Sequence, residues 1–291
     1  MNALREILSP DFLLRNSVYD LLLVGVLCPL IGMFLVLRRM IFVGIALPQV
    51  SSAGIAFAFM LPALGLAGHA HGGHFEGDEH VFAFAGSLSF TLLALLILAW
   101  LERRGRGPAE GRLGGAYVLA GAWSILLLAK NPIGEHGMLD LLRGEIIAVS
   151  NAHLILTAAT LGIVVLALLI FRREFLLVSF DRELAITLRK RLLVWDLLLY
   201  LLVGTTISMC VLCVGPLVTF GFLLLPALAA HAVATNLRQF AVLGSALGGA
   251  AALVGFYVAY RWDLPVGPTC VALLGFVWGL AGSVRLVAAR Q

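Results

Sequence analysis

Eight stretches of the chain contain no Asp, Glu, Lys or Arg: 21–37, 40–75, 80–101, 113–129, 146–171, 197–237, 239–260 and 264–284. Ionised groups are costly at membrane depth, and a helix needs about 20 apolar residues to cross the hydrocarbon core. Each stretch therefore predicts a membrane-spanning helix. The 197–237 stretch is long enough for two, and Gly215-Pro216 is its natural break, because proline removes a backbone donor and clashes with the preceding turn. The 40–75 stretch holds one span, to about Leu66, followed by a polar loop. The expected fold is all-α and polytopic, a single transmembrane domain over 1–291 with about nine spans. Eight or ten result if a helix is re-entrant or broken.

Composition sharpens this picture. The chain is 61% hydrophobic and 12% charged, with a mean hydropathy of +1.03, where soluble domains carry about a quarter charged residues. A soluble globular enzyme is excluded, since it lacks the polar surface to cover its core. Lys and Arg are retained on the cytoplasmic side of membranes. Placing the basic segments 103–112 and 172–191 inside puts fifteen of the twenty basic residues there, leaving Arg5, Arg15, Lys130, Arg143 and Arg261 outside. The N-terminus is thus expected outside and the C-terminus in the cytoplasm. The net charge of +4 expresses this asymmetry, not nucleic-acid binding. The first segment does not read as a signal peptide, because Glu6, Pro10 and Asp11 precede the apolar stretch.

Candidate chemistry lies in a few places. The loop following the second span, within 67–81, holds His69, His71, His74, Glu76, Asp78, Glu79 and His80. Imidazole and carboxylate in one flexible, external segment suit transient capture of zinc and similar ions; a solvated connector is the plainer alternative. Four cysteines, Cys28, Cys210, Cys213 and Cys270, fall in predicted spans and read as small buried hydrophobes. Cys210 and Cys213, near Met209, also invite a soft-metal reading, weakened by the want of a histidine or carboxylate close in sequence. Gln49, Ser51 and Ser52 sit at the start of the second span, where polar groups either face a pathway or bond neighbouring helices. Prolines within 214–231 and 263–269 mark kinked or broken helices, a device for lining cavities. His231 is expected near the cytoplasmic end of its span, as an interfacial group.

The cytoplasmic segment 174–191 is long for a connector. Its 180–191 part is charged on one side and apolar on the other, with Asp181 a candidate helix cap. It fits a helix lying at the headgroups or docking into a soluble partner. No G-x-x-x-x-G-K-[ST] pattern occurs, so any ATP used must be bound by another polypeptide.

These motifs together resemble the membrane-spanning subunit of bacterial ABC importers for zinc, manganese or iron. The resemblance runs from Arg38-Arg39-Met40 to the last span. It is carried by SFDRELA at 179–185, GPLVTFGFLLLPALAA at 215–230, DLPVGPT at 263–269 and RGEIIAVSNAHL at 143–154. It implies a non-enzymatic permease in the bacterial plasma membrane, paired with a second copy of itself, cytoplasmic ATPase subunits and an external substrate-binding protein. It makes the 180–191 segment the coupling helix, with Phe180, Asp181, Arg182, Glu183, Leu184 and Ala185 at the ATPase contact. ATP would be bound by the partner subunit, and zinc, manganese or iron would be cargo, not a cofactor.

One departure stands out. Family members commonly carry Gly-Asp-Ala-Leu-Ser-His near the start of the second span, an Asp and a His sharing one helix face as ligands. Here Gly44-Ile45-Ala46-Leu47-Pro48-Gln49 takes that place. Ile45 and Gln49 supply no charge to offset dehydration of a divalent ion. Three readings stay open. Metal passes without a tight internal site, or Asp140, Glu145, His136 or His153 supply replacement ligands, or the cargo is a chelate or other small polar molecule. A transporter driven by an ion gradient would require carboxylates within the spans, and none lies in the charge-free stretches. A purely structural membrane protein would need no coupling helix, and a membrane hydrolase would need an H-E-x-x-H pair that is lacking.

Overall fold

In lipid each backbone polar group must be satisfied within its own segment, which makes a helix of every apolar stretch. The computed structural model describes residues 14–63, 76–103, 109–130, 149–180 and 182–288. Their helices are α1 (Arg15–Leu37), α2 (Ile41–Ala63), α3 (Glu76–Arg103), α4 (Ala109–Ala129), α5 (Asn151–Ile170), α6 (Arg172–Phe180), α7 (Arg182–Thr187), α8 (Leu192–Val233), α9 (Leu237–Trp262) and α10 (Val266–Ala288). Among the described residues there is no strand, and eight helices are long and apolar enough to cross a membrane.

At 42 residues, α8 would measure about 63 Å if straight, twice the hydrocarbon thickness. It is broken where the sequence predicts. Gly215 takes φ 76° and ψ 167°, a region essentially reserved for glycine, and Pro216 follows. The halves run in opposite directions, as their contacts along α1 show. Arg38 bonds Asp196, and Cys28 meets Cys210 further along. Yet Gly32, a turn closer to Arg38 than Cys28 is, lies against the Leu223 carbonyl. A helix continuing straight would carry Leu223 about 20 Å past Cys210, away from that end.

The folded-back α8 is the centre, packed on α1, α2, α3, α5, α9 and α10. Close crossings hold the surrounding layer together. Gly25 of α1 and Gly248 of α9 touch backbone to backbone, as do Gly54 of α2 and Gly86 of α3. Small residues permit such approach, and dispersion then binds helices that gain little from the hydrophobic effect in lipid. The outward faces of α4, α5 and α10 leave Val118, Ile125, Ile155, Ile163 and Phe276 largely exposed, as lipid or a partner subunit would require.

At the Arg38 end, Arg38 donates to Asp196 Oδ1 (2.7 Å) and Ser179 Oγ (2.9 Å), joining α1, α6 and α8. Phe34, Phe171, Phe175 and Trp195 stack edge to face beside it, with Phe175 fully buried.

The structure amends the expected elements in two places. The first span begins at Arg15, not after Asp20, so Asp20 is enclosed in α1 instead of flanking it. The segment expected to be one coupling helix is two short helices, α6 and α7, and Asp181, its expected cap, lies outside the described residues.

Candidate functional site

Three chemistry-bearing side chains meet where α1, α5 and the first half of α8 converge. Asp20 stands in the second turn of α1 and is fully buried. His153 lies in the first turn of α5, whose N-terminus is capped by Ser150 Oγ accepting from the His153 N–H at 3.2 Å. Cys213 sits two residues before the Gly215 break. The ligand atoms of all three fall within 4.8 Å of one another, and among the described residues no other group of three or more His, Cys, Asp or Glu does so.

The surrounding bonds fix the frame but leave the centre unsatisfied. Asn16 donates to the Val149 carbonyl (3.1 Å) and to Asn151 Oδ1 (2.8 Å), tying the beginnings of α1 and α5 together. Thr157 Oγ1 donates to the His153 carbonyl at 3.0 Å and lies 3.3 Å from Cys213 Sγ. By contrast, His153 Nε2 is 3.8 Å from Asp20 Oδ2, too far for a hydrogen bond. Both Asp20 oxygens and His153 Nδ1 are buried without a hydrogen-bond partner among the described residues. A carboxylate so placed is costly unless a cation or proton joins it. Two further groups adjoin the cluster. Cys28 and Cys210 approach to 3.2 Å between sulfurs, and the His80 ring stands edge to His153, centroids 4.7 Å apart.

The residues singled out from the sequence are placed as follows. Gln49 is directed toward α4, its Nε2 3.1 Å from where a side chain on Gly121 would begin. Ser51 pairs with Ser87, and Ser87, Thr91 and Ser208 continue the chain, so this polar group joins α2, α3 and α8. Ser52 Oγ is buried without a hydrogen-bond partner among the described residues. Of the histidine-rich segment, His80 is described and sits in the first turns of α3; His69, His71 and His74 lie outside the described residues, as does the Asp78 side chain. His136, Asp140 and Glu145 also lie outside them, whereas His153 is at the cluster. In the expected coupling segment Phe180, Glu183 and Leu184 are exposed and Ala185 is buried; the Arg182 side chain lies outside the described residues. His231 is exposed and packs edge to Phe240 at the last turn of α8.

Asp20 is the candidate residue that the reading of charge-free stretches passed over. Its signal is the unbroken helical run from Arg15 through Asp20 into Leu21-Leu22-Leu23, which puts an acid inside an apolar helix. The soft-metal reading of Cys210 and Cys213 also changes. Cys213 has the histidine and carboxylate that sequence proximity does not supply, while Cys210 faces Cys28.

Comparison with known proteins agrees with this architecture. The profile of the ABC 3 transport family matches residues 11–283. The manganese import system permease protein ScaB of Streptococcus gordonii is 25% identical over 258 residues, covering 89% of this chain and 86% of that protein. A probable iron transport system membrane protein of Haemophilus influenzae is 23% identical over 275 residues, covering 94% and 90%. The solved structure of PsaBC from Streptococcus pneumoniae in complex with Fab shares the fold, with a TM-score of 0.81 at 22% identity over 96% of this chain and 94% of that one. The chain therefore belongs to the ABC 3 transport family, as a membrane-spanning permease subunit of an ABC transporter.

Proposed function

We propose that this permease imports divalent metal ions across a bacterial plasma membrane, paired with a second copy of itself. A separate cytoplasmic subunit hydrolyses ATP, and an external binding protein delivers the ion. The observation that carries the cation reading is Asp20, a fully buried carboxylate with no hydrogen-bond partner among the described residues, set beside His153 and Cys213. Manganese and iron appear in the names of its relatives, which supports metal as the cargo class. A bare ion suits the cluster better than a chelate, because ligand atoms within 4.8 Å of one another converge on a point, not on a molecular surface.

The coupling route follows from which helices meet at each end. Phe180, Leu184, Ile186 and Leu188 expose apolar side chains beside Glu183 and Lys190, a surface suited to a groove on an ATPase. Phe175 of the adjoining α6 is wedged between Phe34 of α1 and Trp195 of α8. Asp20 stands at the far end of α1 and Cys213 at the far end of the first half of α8. A displacement of α6 and α7 therefore shifts the two halves of the cluster against each other, a rigid-body means of opening and closing a site.

The test is ATP-dependent uptake of zinc, manganese and iron into liposomes holding the permease, its ATPase and its binding protein. Uptake is expected in the native protein and lost in Asp20→Asn with ATP hydrolysis retained. Uptake undiminished in Asp20→Asn would overturn the cation pathway through α1.

A further inference from the structure

We propose that Asp20, His153 and Cys213 form a mixed oxygen, nitrogen and sulfur coordination site that favours a thiolate-accepting ion such as zinc over manganese. The inference rests on the reading of the chain as a cation permease and adds which ions its membrane interior accepts. Three observations converge on it. The ligand atoms lie within 4.8 Å of one another, and a rotation closing them by about 1 Å reaches the separations that metal–ligand bonds of about 2.0–2.3 Å impose at a tetrahedral centre. Both Asp20 oxygens and His153 Nδ1 have no hydrogen-bond partner among the described residues, although Asp20 is fully buried and His153 nearly so. Thr157 holds the frame from behind, bonded to the His153 carbonyl and in contact with Cys213 Sγ.

Charge gives the physical reason for this set. A divalent ion with one carboxylate, one thiolate and a neutral imidazole makes a centre of zero net charge, the form that a low-dielectric interior tolerates. Binding replaces the Cys213 S–H bond with a metal–sulfur bond, and the displaced proton leaves to water. Three protein ligands leave a fourth position open to exchange, which suits an ion that must move on. Thiolate and imidazole suit zinc, whereas manganese stands lowest in affinity among first-row divalent ions and prefers carboxylate, carbonyl and water. The ligands stand on α1, α5 and α8, and not on α2, the helix that carries Ile45 and Gln49.

The test is a titration of purified permease in detergent with cobalt(II), without ATP or partner proteins. The expected result is a thiolate-to-cobalt charge-transfer band in the near ultraviolet, lost in Cys213→Ser and retained in Cys28→Ser. Zinc is expected to abolish the band at lower concentration than manganese does. Cobalt bound without the band, a band surviving Cys213→Ser, or manganese competing as well as zinc would overturn the proposal. Should Cys213→Ser fail to fold, X-ray absorption of the zinc-loaded native protein decides. One sulfur at about 2.3 Å with nitrogen or oxygen at about 2.0–2.1 Å supports the site. No sulfur, or two, overturns it, two pointing to Cys28 and Cys210. Because nothing is transported in these measurements, lost uptake with the band intact removes the transport reading alone, and a missing band with intact uptake removes only this site.

Discussion

Asp20 and Arg38 occupy opposite ends of α1 and illustrate two ways of burying a charge. Arg38 is compensated, its guanidinium 2.7 Å from Asp196 with side chains only 11% and 13% exposed. Removing one partner of such a pair costs about 3–5 kcal/mol, because the other charge is left buried and unpaired. Asp196→Ala should therefore lower the thermal midpoint in detergent sharply, while Arg38→Met combined with Asp196→Leu recovers much of it. An unchanged midpoint in the single variant would mean that the pair contributes nothing to stability. Asp20 has no such compensation among the described residues, and His80 stands against His153 at the edge of the cluster. On the metal-capture reading, His80→Ala should raise the half-saturating metal concentration for uptake and leave the maximal rate nearly unchanged; equal concentrations in both proteins would remove His80 from the entry route. Asp20 was hard to find in the sequence for a physical reason. A carboxylate five residues into a helix looks like a flanking charge until the helix start is known.

Among the elements, α8 shows local chemistry deciding a global feature. Gly215-Pro216 predicts a break, and at φ 76° the backbone reverses there. A side chain at that dihedral costs about 1–3 kcal/mol, so Gly215→Ala should lower the unfolding midpoint, whereas Gly114→Ala, in open space on α4, should not. Equal midpoints would show that the turn tolerates a Cβ. The crossing of α1 with α9 offers a second check. At Gly248 a Cβ would strike the Gly25 carbonyl, and overpacking of this kind costs about 1–3 kcal/mol or more. Gly248→Leu should reduce the folded yield and, by displacing α1, weaken metal binding at Asp20 as well. The coupling segment was less legible. An amphipathic pattern over 180–191 predicts a helix but not the division of 174–191 into α6 and α7, nor that Phe175 of α6 enters the aromatic group of Phe34, Phe171 and Trp195.

At the scale of the whole molecule, α1 and α8 join the proposed ATPase-facing end to the proposed metal-ligating cluster. Glu183→Lys with Leu184→Asp should abolish ATP-driven uptake while leaving cobalt binding in detergent unchanged; uptake that persists would remove α7 from the coupling contact. Much of this organisation can be read directly from the chain. Charge-free stretches give the spans, the bias of Lys and Arg gives an expected orientation, and motif order points to the family, because membrane insertion and helix punctuation are local, residue-by-residue costs. The cluster could not be read that way. Asp20, His153 and Cys213 are separated by 133 and 60 residues, and Cys213 looked poor in metal partners along its own segment. Only the reversal of α8 beside α1 and the docking of α5 bring the three together, since coordination depends on distance in space and sequence spacing reports that distance only within one helix.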